Sequence, residues 1–174
     1  MQDILLEPLS LNQIELLQHI AKETFYETFS AANEESNMQV YLDQNLNLEQ
    51  LKSEFLSPHS SFYLVRTENK LIGYCKLNFD QTNQELPKIK RVEVERIYLL
   101  QSYQGKKIGY FLMQNILEIA KKQNAAQIWL GVWEHNLKAI QFYQKFGFLI
   151  YGQQVFKLGA DLQTDLLMRL DINL

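Results

Sequence analysis

The sequence predicts a mixed α/β protein, a sheet with parallel central strands and flanking helices, and three observations lead there. Apolar residues recur at helical spacing as far as Pro58, then alternate as in strands from Ser61. The second half reads strand, helix, strand, helix, strand, strand, an order that builds parallel pairing through crossover helices. With 174 residues, 47% of them apolar, the chain suffices for one substantial core, so a single domain over 1–174 is expected.

Ser10 precedes Ile14, Leu17, Ile20 and Ala21, which share a helical face, and Gln13 completes a capping box, so a first helix is expected to about Phe25. "NMQVYLDQNL" and "NLEQLKSEFL" read as two short helices, the second capped by Asn47 and packed through Leu48, Leu51 and Phe55. Pro58 ends the helical part. "SFYLVRT" and "LIGYCKLNF" form a hairpin across a turn at Glu68, Asn69 and Lys70, and "DQTNQELPK" is a longer loop. "IKRVEVERIYLL" is a long strand rich in β-branched and aromatic residues. A helix from about Lys107 to Gln123 carries Ile108, Phe111, Leu112, Ile116 and Ile119 on one side. "QIWLGVW" is a strand, "NLKAIQFYQKF" a helix closed at Gly147, and "FLIYGQQVF" and "DLLMRLD" are the last strands.

Composition narrows the function classes. The net charge of −3 disfavours a protein that coats nucleic acid and suits a cationic small molecule. The first thirty residues lack the pattern of a signal peptide, and no run approaches the roughly 18 apolar residues of a membrane span, so a cytoplasmic protein is expected, with no membrane partner. Cys75, the single cysteine, sits in a strand-like run with no adjacent base and reads as a packing residue. His19, His59 and His135 are too scattered for a metal site, so no metal is expected. An isologous homodimer is the default for a chain of this size, although no surface for it can be named.

The segment "YQGKKIGYFL" carries the first chemical signal. A strand feeding a glycine-containing turn and then a helix aims unpaired N–H groups and the positive end of the helix dipole at one point, where an anion such as phosphate fits. Gly105 offers no side chain to obstruct approach, Gly109 lets the ligand or a neighbouring strand come close, and Lys106 and Lys107 add charge. Neither a Walker loop nor GxGxxG is present. On its own the segment is equally a glycine turn with two solvated lysines.

Gln104-Gly105-Lys106-Lys107-Ile108-Gly109 resembles the pyrophosphate loop Arg/Gln-x-x-Gly-x-Gly/Ala of the GNAT superfamily of N-acetyltransferases. Downstream, "NLKAIQFYQKFGF" matches the family pattern N-x-x-A-x-x-x-Y-x-x-x-G-F through Asn136, Ala139, Tyr143, Gly147 and Phe148. "ETFYETF", "NMQVYL", "VERIYL", "IWLGVWEHN" and "QTDLLM" extend the resemblance to PaiA-type polyamine acetyltransferases. One position departs: the family's middle glycine is Lys107 here, where a helical backbone would tolerate lysine and still supply its N–H.

The resemblance implies a GNAT-like acyl-CoA N-acyltransferase fold, acetyl-CoA as cosubstrate and a small amine as acceptor, polyamines such as spermidine or spermine foremost. It assigns Gln104, Gly105, Lys106, Lys107, Ile108, Gly109 and Tyr110 to the diphosphate. Ile97, Tyr98 and Leu99 go to the pantetheine arm and acetyl oxygen through main-chain groups, with an oxyanion N–H at Leu99. Asn136 would touch the cofactor arm, and Tyr143 would be the general acid for the departing thiolate. Its rival reading is an aromatic core stripe with Phe142 and Phe146.

An alkyl ammonium with a pKa of about 10 must lose a proton before attack, so a base is needed. Glu93 and Glu95 lie two apart on a strand and so share a face, where like charge and partial burial would raise the pKa of at least one. Glu95 aligns with the family's base position, acting directly or through a water, and Glu93 binds the cation. By period alone the pair is a solvated face; Ile97 and Leu99, expected next on that face, argue otherwise. Glu23 and Glu27, one turn apart on a helix, could join Glu34 and Glu35 in an acidic lip for a polycation, with Glu27 carried as a substrate-binding candidate. Two other readings stay open: a protein or unrelated amine as acceptor, and a sensor that binds acyl-CoA without catalysis.

Overall fold

The computed structural model describes residues 4–68, 70–79 and 89–172. Asn69 of the expected turn and the expected loop at 80–88 lie outside them. The strands are β1 (Ile4–Pro8), β2 (Ser60–Thr67), β3 (Lys70–Phe79), β4 (Arg91–Leu99), β5 (Gln127–Trp133), β6 (Leu149–Leu158) and β7 (Asp161–Asp171). The helices are α1 (Ile14–Phe29), α2 (Glu35–Asn45), α3 (Leu48–Phe55), α4 (Ile108–Lys122) and α5 (Leu137–Phe146). Among the described residues the strands form one sheet in the order β1-β2-β3-β4-β5-β7-β6.

The expected mixed α/β sheet is there, with its parallel centre limited to one pair, β4 with β5; every other neighbour is antiparallel. Strand β1, "ILLEP", was not expected. It is short, carries a charge and ends in proline, and its pairing with β2 comes from tertiary contact rather than from local pattern. The Ser10 backbone N–H donates to Gln13 Oε1 at 3.0 Å as a capping box requires, but the box opens a 3₁₀ turn that leads into α1. Asn47 caps α3 as expected, accepting from Gln50 N–H at 2.8 Å.

Each sheet face buries its own core. Val92, Val94, Ile128, Leu130 and Met168 pack with Met113, Ile116 and Ile140 of α4 and α5. Phe62, Leu64 and Tyr74 pack with Leu17, Ile20, Phe25, Met38, Leu42 and Leu51 of α1, α2 and α3. Cys75 is wholly buried, and burial pushes its thiol up to about 12, which leaves it an inert packing group. No helix among the described residues is long and apolar enough to cross a membrane.

Candidate active site

The site is a gap in the sheet. Strand β4 pairs with β5 only at Arg91, Val92 and Glu93, opposite Gln127, Ile128 and Trp129, and beyond that point the strands part. Leu100 N–H donates to Ile72 O on β3 at 2.9 Å, so by strand alternation the main-chain groups of Leu99 and Ile97 turn the other way, toward the gap. Parting strands therefore leave a row of peptide groups available to an extended guest.

Past the gap the chain makes a turn at Gln101–Tyr103 and enters the cradle. Gln104 is held at both ends of its amide: Nε2 donates to Leu99 O at 3.2 Å, and Oε1 accepts from Lys138 Nζ at 3.0 Å. Gly105 has φ +76°, and a Cβ built there would meet nothing within 4 Å, so this face is open backbone. The first bond of α4 runs from Phe111 N–H to Lys107 O at 3.2 Å. The N–H groups of Ile108, Gly109 and Tyr110 precede it and have no acceptor within the helix. A diphosphate suits such donors at a positive helix end, with Lys106 and Lys107 beside them.

Two expectations about the cradle change. Lys107 is not in helical backbone: it is the N-cap of α4 at φ +63°, the left-handed conformation that the family's glycine supplies freely. Gly109 makes room for a helix rather than a strand, since a Cβ there would touch the Phe142 ring of α5 at 3.4 Å. Lys106 lies over the Tyr103 ring at 4.9 Å, and the Tyr110 ring sits 5.4 Å from Phe146 on the exposed side of α4.

The acidic side is built on a β-bulge. Lys76 pairs with Arg96 and Leu77 with Val94, so Glu95 is the extra residue of β4. The bulge breaks the alternation and turns both Glu95 and Arg96 toward α1–α3. Glu93 and Glu95 do share a face, but Arg96 and Tyr98 continue it; Ile97 and Leu99 pack on the α4 side. Nor do the two glutamates simply repel: Asn78 Nδ2 bridges them at 2.8 and 2.5 Å, and Ser60 Oγ donates to Asn78 Oδ1 at 2.8 Å. Glu95 also faces Lys76 Nζ at 2.6 Å and Arg96 at 3.2 Å. Glu54 of α3 takes the same two cations at 2.9 and 2.7 Å.

Tyr143 lies on α5, on the other face of the sheet. Its ring is buried beside Phe142 at 5.3 Å and Phe148 at 5.7 Å, so it is a core residue as well as a candidate acid. Burial raises its pKa well above the usual tyrosine value and keeps the hydroxyl protonated. Tyr98 feels the Tyr143 phenol and is itself partly buried, packed on Phe25, Phe29 and Tyr74.

Asn136 caps α5, its Oδ1 accepting from Ala139 N–H at 3.2 Å. Glu27 Oε2 accepts from Gln101 N–H at 2.7 Å and ties α1 to the turn before the cradle. Glu23 faces His19 at 3.6 Å, and Glu35 accepts from Tyr26 at 2.9 Å. Sequence reasoning missed Glu54, Lys76, Asn78, Arg96 and Asp165. A signal was present for Lys76, a charge inside the otherwise apolar run "LIGYCKL".

Among the described residues no group of three or more His, Cys, Asp or Glu is placed to hold a metal ion. The pattern of the Acetyltransferase (GNAT) family matches residues 15–148, which include the gap and the cradle. The chain belongs to the GNAT acetyltransferase family. As a GNAT enzyme it is an N-acetyltransferase that uses acetyl-CoA as cosubstrate. It is 36% identical over 150 residues to an uncharacterized N-acetyltransferase of Lactobacillus delbrueckii subsp. lactis, covering 86% of this chain and 87% of that one. It is 27% identical over 146 residues to the spermidine N(1)-acetyltransferase of Thermoplasma acidophilum, covering 82% and 86%. In fold it is similar to the PaiA N-acetyltransferase of Thermoplasma acidophilum crystallised with coenzyme A, with a TM-score of 0.81 at 24% identity, covering 98% and 99%.

Proposed function

We propose that this GNAT enzyme acetylates a polyamine such as spermidine or spermine by direct attack within a ternary complex. The observation that carries the reading is the acidic group on the side of the gap facing α1–α3, where Asn78 holds Glu93 and Glu95 together and Lys76 and Arg96 face Glu95. Relatives named as spermidine acetyltransferases support it.

In this reading the donors of Gln104 to Tyr110 hold the diphosphate, and the main chain of Ile97 to Leu99 aligns the pantetheine arm. The Leu99 N–H polarises the thioester carbonyl. Glu95 takes a proton from the acceptor ammonium, directly or through a water, and the freed amine forms the C–N bond. The C–S bond breaks, and the departing thiolate takes a proton from the Tyr143 hydroxyl. The extra proton on the attacking nitrogen passes to the tyrosinate, which restores Tyr143 and leaves a neutral amide, while Glu95 gives its proton to solvent. No protein nucleophile takes part.

The test follows acetyl-CoA consumption with spermidine, spermine, a monoamine and lysine-containing peptides, for the natural chain and Glu95→Gln. Expected are turnover of the polyamines and a Glu95→Gln loss that is largest near neutral pH and partly restored at high pH, where more amine is already free. Turnover confined to peptides, or binding without turnover on every amine, overturns the acceptor assignment. A Glu95→Gln loss independent of pH makes Glu95 a binding group rather than a base.

A further inference from the structure

We propose that Asp165 holds a second cationic nitrogen of the acceptor, so that the site prefers amines carrying two separated ammonium groups. The proposal rests on the small-amine reading above and adds a residue to it.

Asp165 lies on β7, opposite Trp133 of β5 and Gln154 of β6. Its apolar strand neighbours Leu166, Met168 and Leu170 pack on the α5 side, so Asp165 turns toward α1 and α2. There it lies over bare backbone: a Cβ at Gly131 would come within 3.3 Å of Asp165 Oδ2 and 3.0 Å of Gln154 Nε2. Gly131 belongs to the half of β5 that has parted from β4, so the carboxylate flanks the gap. Burial raises the pKa of the Tyr41 phenol of α2, and both Glu95 and Asp165 add to that rise while Arg96 opposes it.

The two carboxylates differ in what balances them. Glu95 and Glu54 each face Lys76 and Arg96. Asp165 is bonded by the amide of Gln154, and among the described residues no cation stands within 4.0 Å of it. Burial pushes its carboxyl up to about 6. A half-buried carboxylate without a counter-ion is costly to the folded state, and a bound ammonium offsets that cost. Further unsatisfied groups mark the same region. The Tyr74 hydroxyl is wholly buried with no partner among the described residues, in the field of Tyr41, Glu54, Glu95 and Arg96. The Trp129 indole N–H, on β5 beside Glu93, is likewise buried and has no partner among the described residues. Buried polar groups left open in this way suit a guest that supplies donors and acceptors.

The experiment compares 1,4-diaminobutane with butylamine as acceptors for the natural chain, Asp165→Asn and Asp165→Glu. The natural chain is expected to favour the diamine in kcat/KM. Asp165→Asn should shrink that preference by about tenfold or more, chiefly through a higher KM for the diamine, and Asp165→Glu should restore part of it. Asparagine matches aspartate in shape and can still bond Gln154, so a melting temperature at least equal to the natural one should confirm that the fold is kept. A preference unchanged by Asp165→Asn, or lost equally in Asp165→Glu, overturns the role of Asp165 while leaving the polyamine reading standing. A natural chain with no preference for the diamine overturns both.

Discussion

Replacing Tyr143 by phenylalanine is expected to lower kcat by about a hundredfold or more while coenzyme A still binds and the fold persists. The ring of Tyr143 is core, packed on Phe142 and Phe148, and phenylalanine keeps all of that area. Only the hydroxyl is lost, so stability should move by no more than about 1 kcal/mol. Burial holds the phenol protonated, so the acid is present through neutral and mildly alkaline pH, and no alkaline limb from this group should appear below about pH 10. Steady-state rates from pH 7 to 10, with calorimetric titration of coenzyme A, check both parts. A Tyr143→Phe enzyme within threefold of the natural rate would reduce Tyr143 to packing alone.

The largest loss of stability is expected from Arg96→Met, about 3–5 kcal/mol, or roughly 10 °C in Tm. Arg96 is only 8% exposed and donates to both carboxylate oxygens of Glu54, at 2.7 and 3.1 Å. Methionine fills much of the volume but leaves Glu54 and Glu95 to share Lys76 alone, and an unbalanced buried carboxylate costs more than the lost attraction. Burial works to raise the Glu54 pKa, but the Arg96 guanidinium, hydrogen bonds and Lys76 outweigh it, so the folded value lies below the ordinary one of 4.5. A lowered carboxyl stabilises the fold above the unfolded pKa, and that contribution fades as pH falls through the folded value. Urea unfolding of the natural chain and Arg96→Met at pH 7 and pH 4 should therefore show the gap between them narrowing at acid pH. A constant gap would assign the loss to packing instead of charge.

Particular residues show what could be read from sequence. The cradle was legible because its parts are contiguous: Gln104, Gly105 and the first turn of α4 meet through local backbone alone. The helical motif from Asn136 to Phe148 was legible for the same reason. Lys107 was misjudged because residue identity alone does not report φ, and lysine rarely takes the left-handed region. Glu93 and Glu95 share a face as expected, but not the face of Ile97 and Leu99. Period-2 counting has no means of seeing a bulge, which exists only relative to the partner strand. Asp165 was out of reach, since its neighbours Gln154, Gly131 and Tyr41 come from three other elements.

The amino-acid sequence by itself determined the helix and strand order from α1 onward, two amphipathic faces for a sheet to bury, and a donor-rich helix start for an anion. Those properties follow from spacing of a few residues, which the backbone periods of helix and strand read directly. Only the tertiary structure decided that β4 and β5 part after Glu93, that Lys76 and Arg96 balance Glu54 and Glu95, and that among the described residues no cation faces Asp165. Charge balance and strand separation depend on distances between segments far apart in the chain, and such distances are fixed only when the two cores have packed.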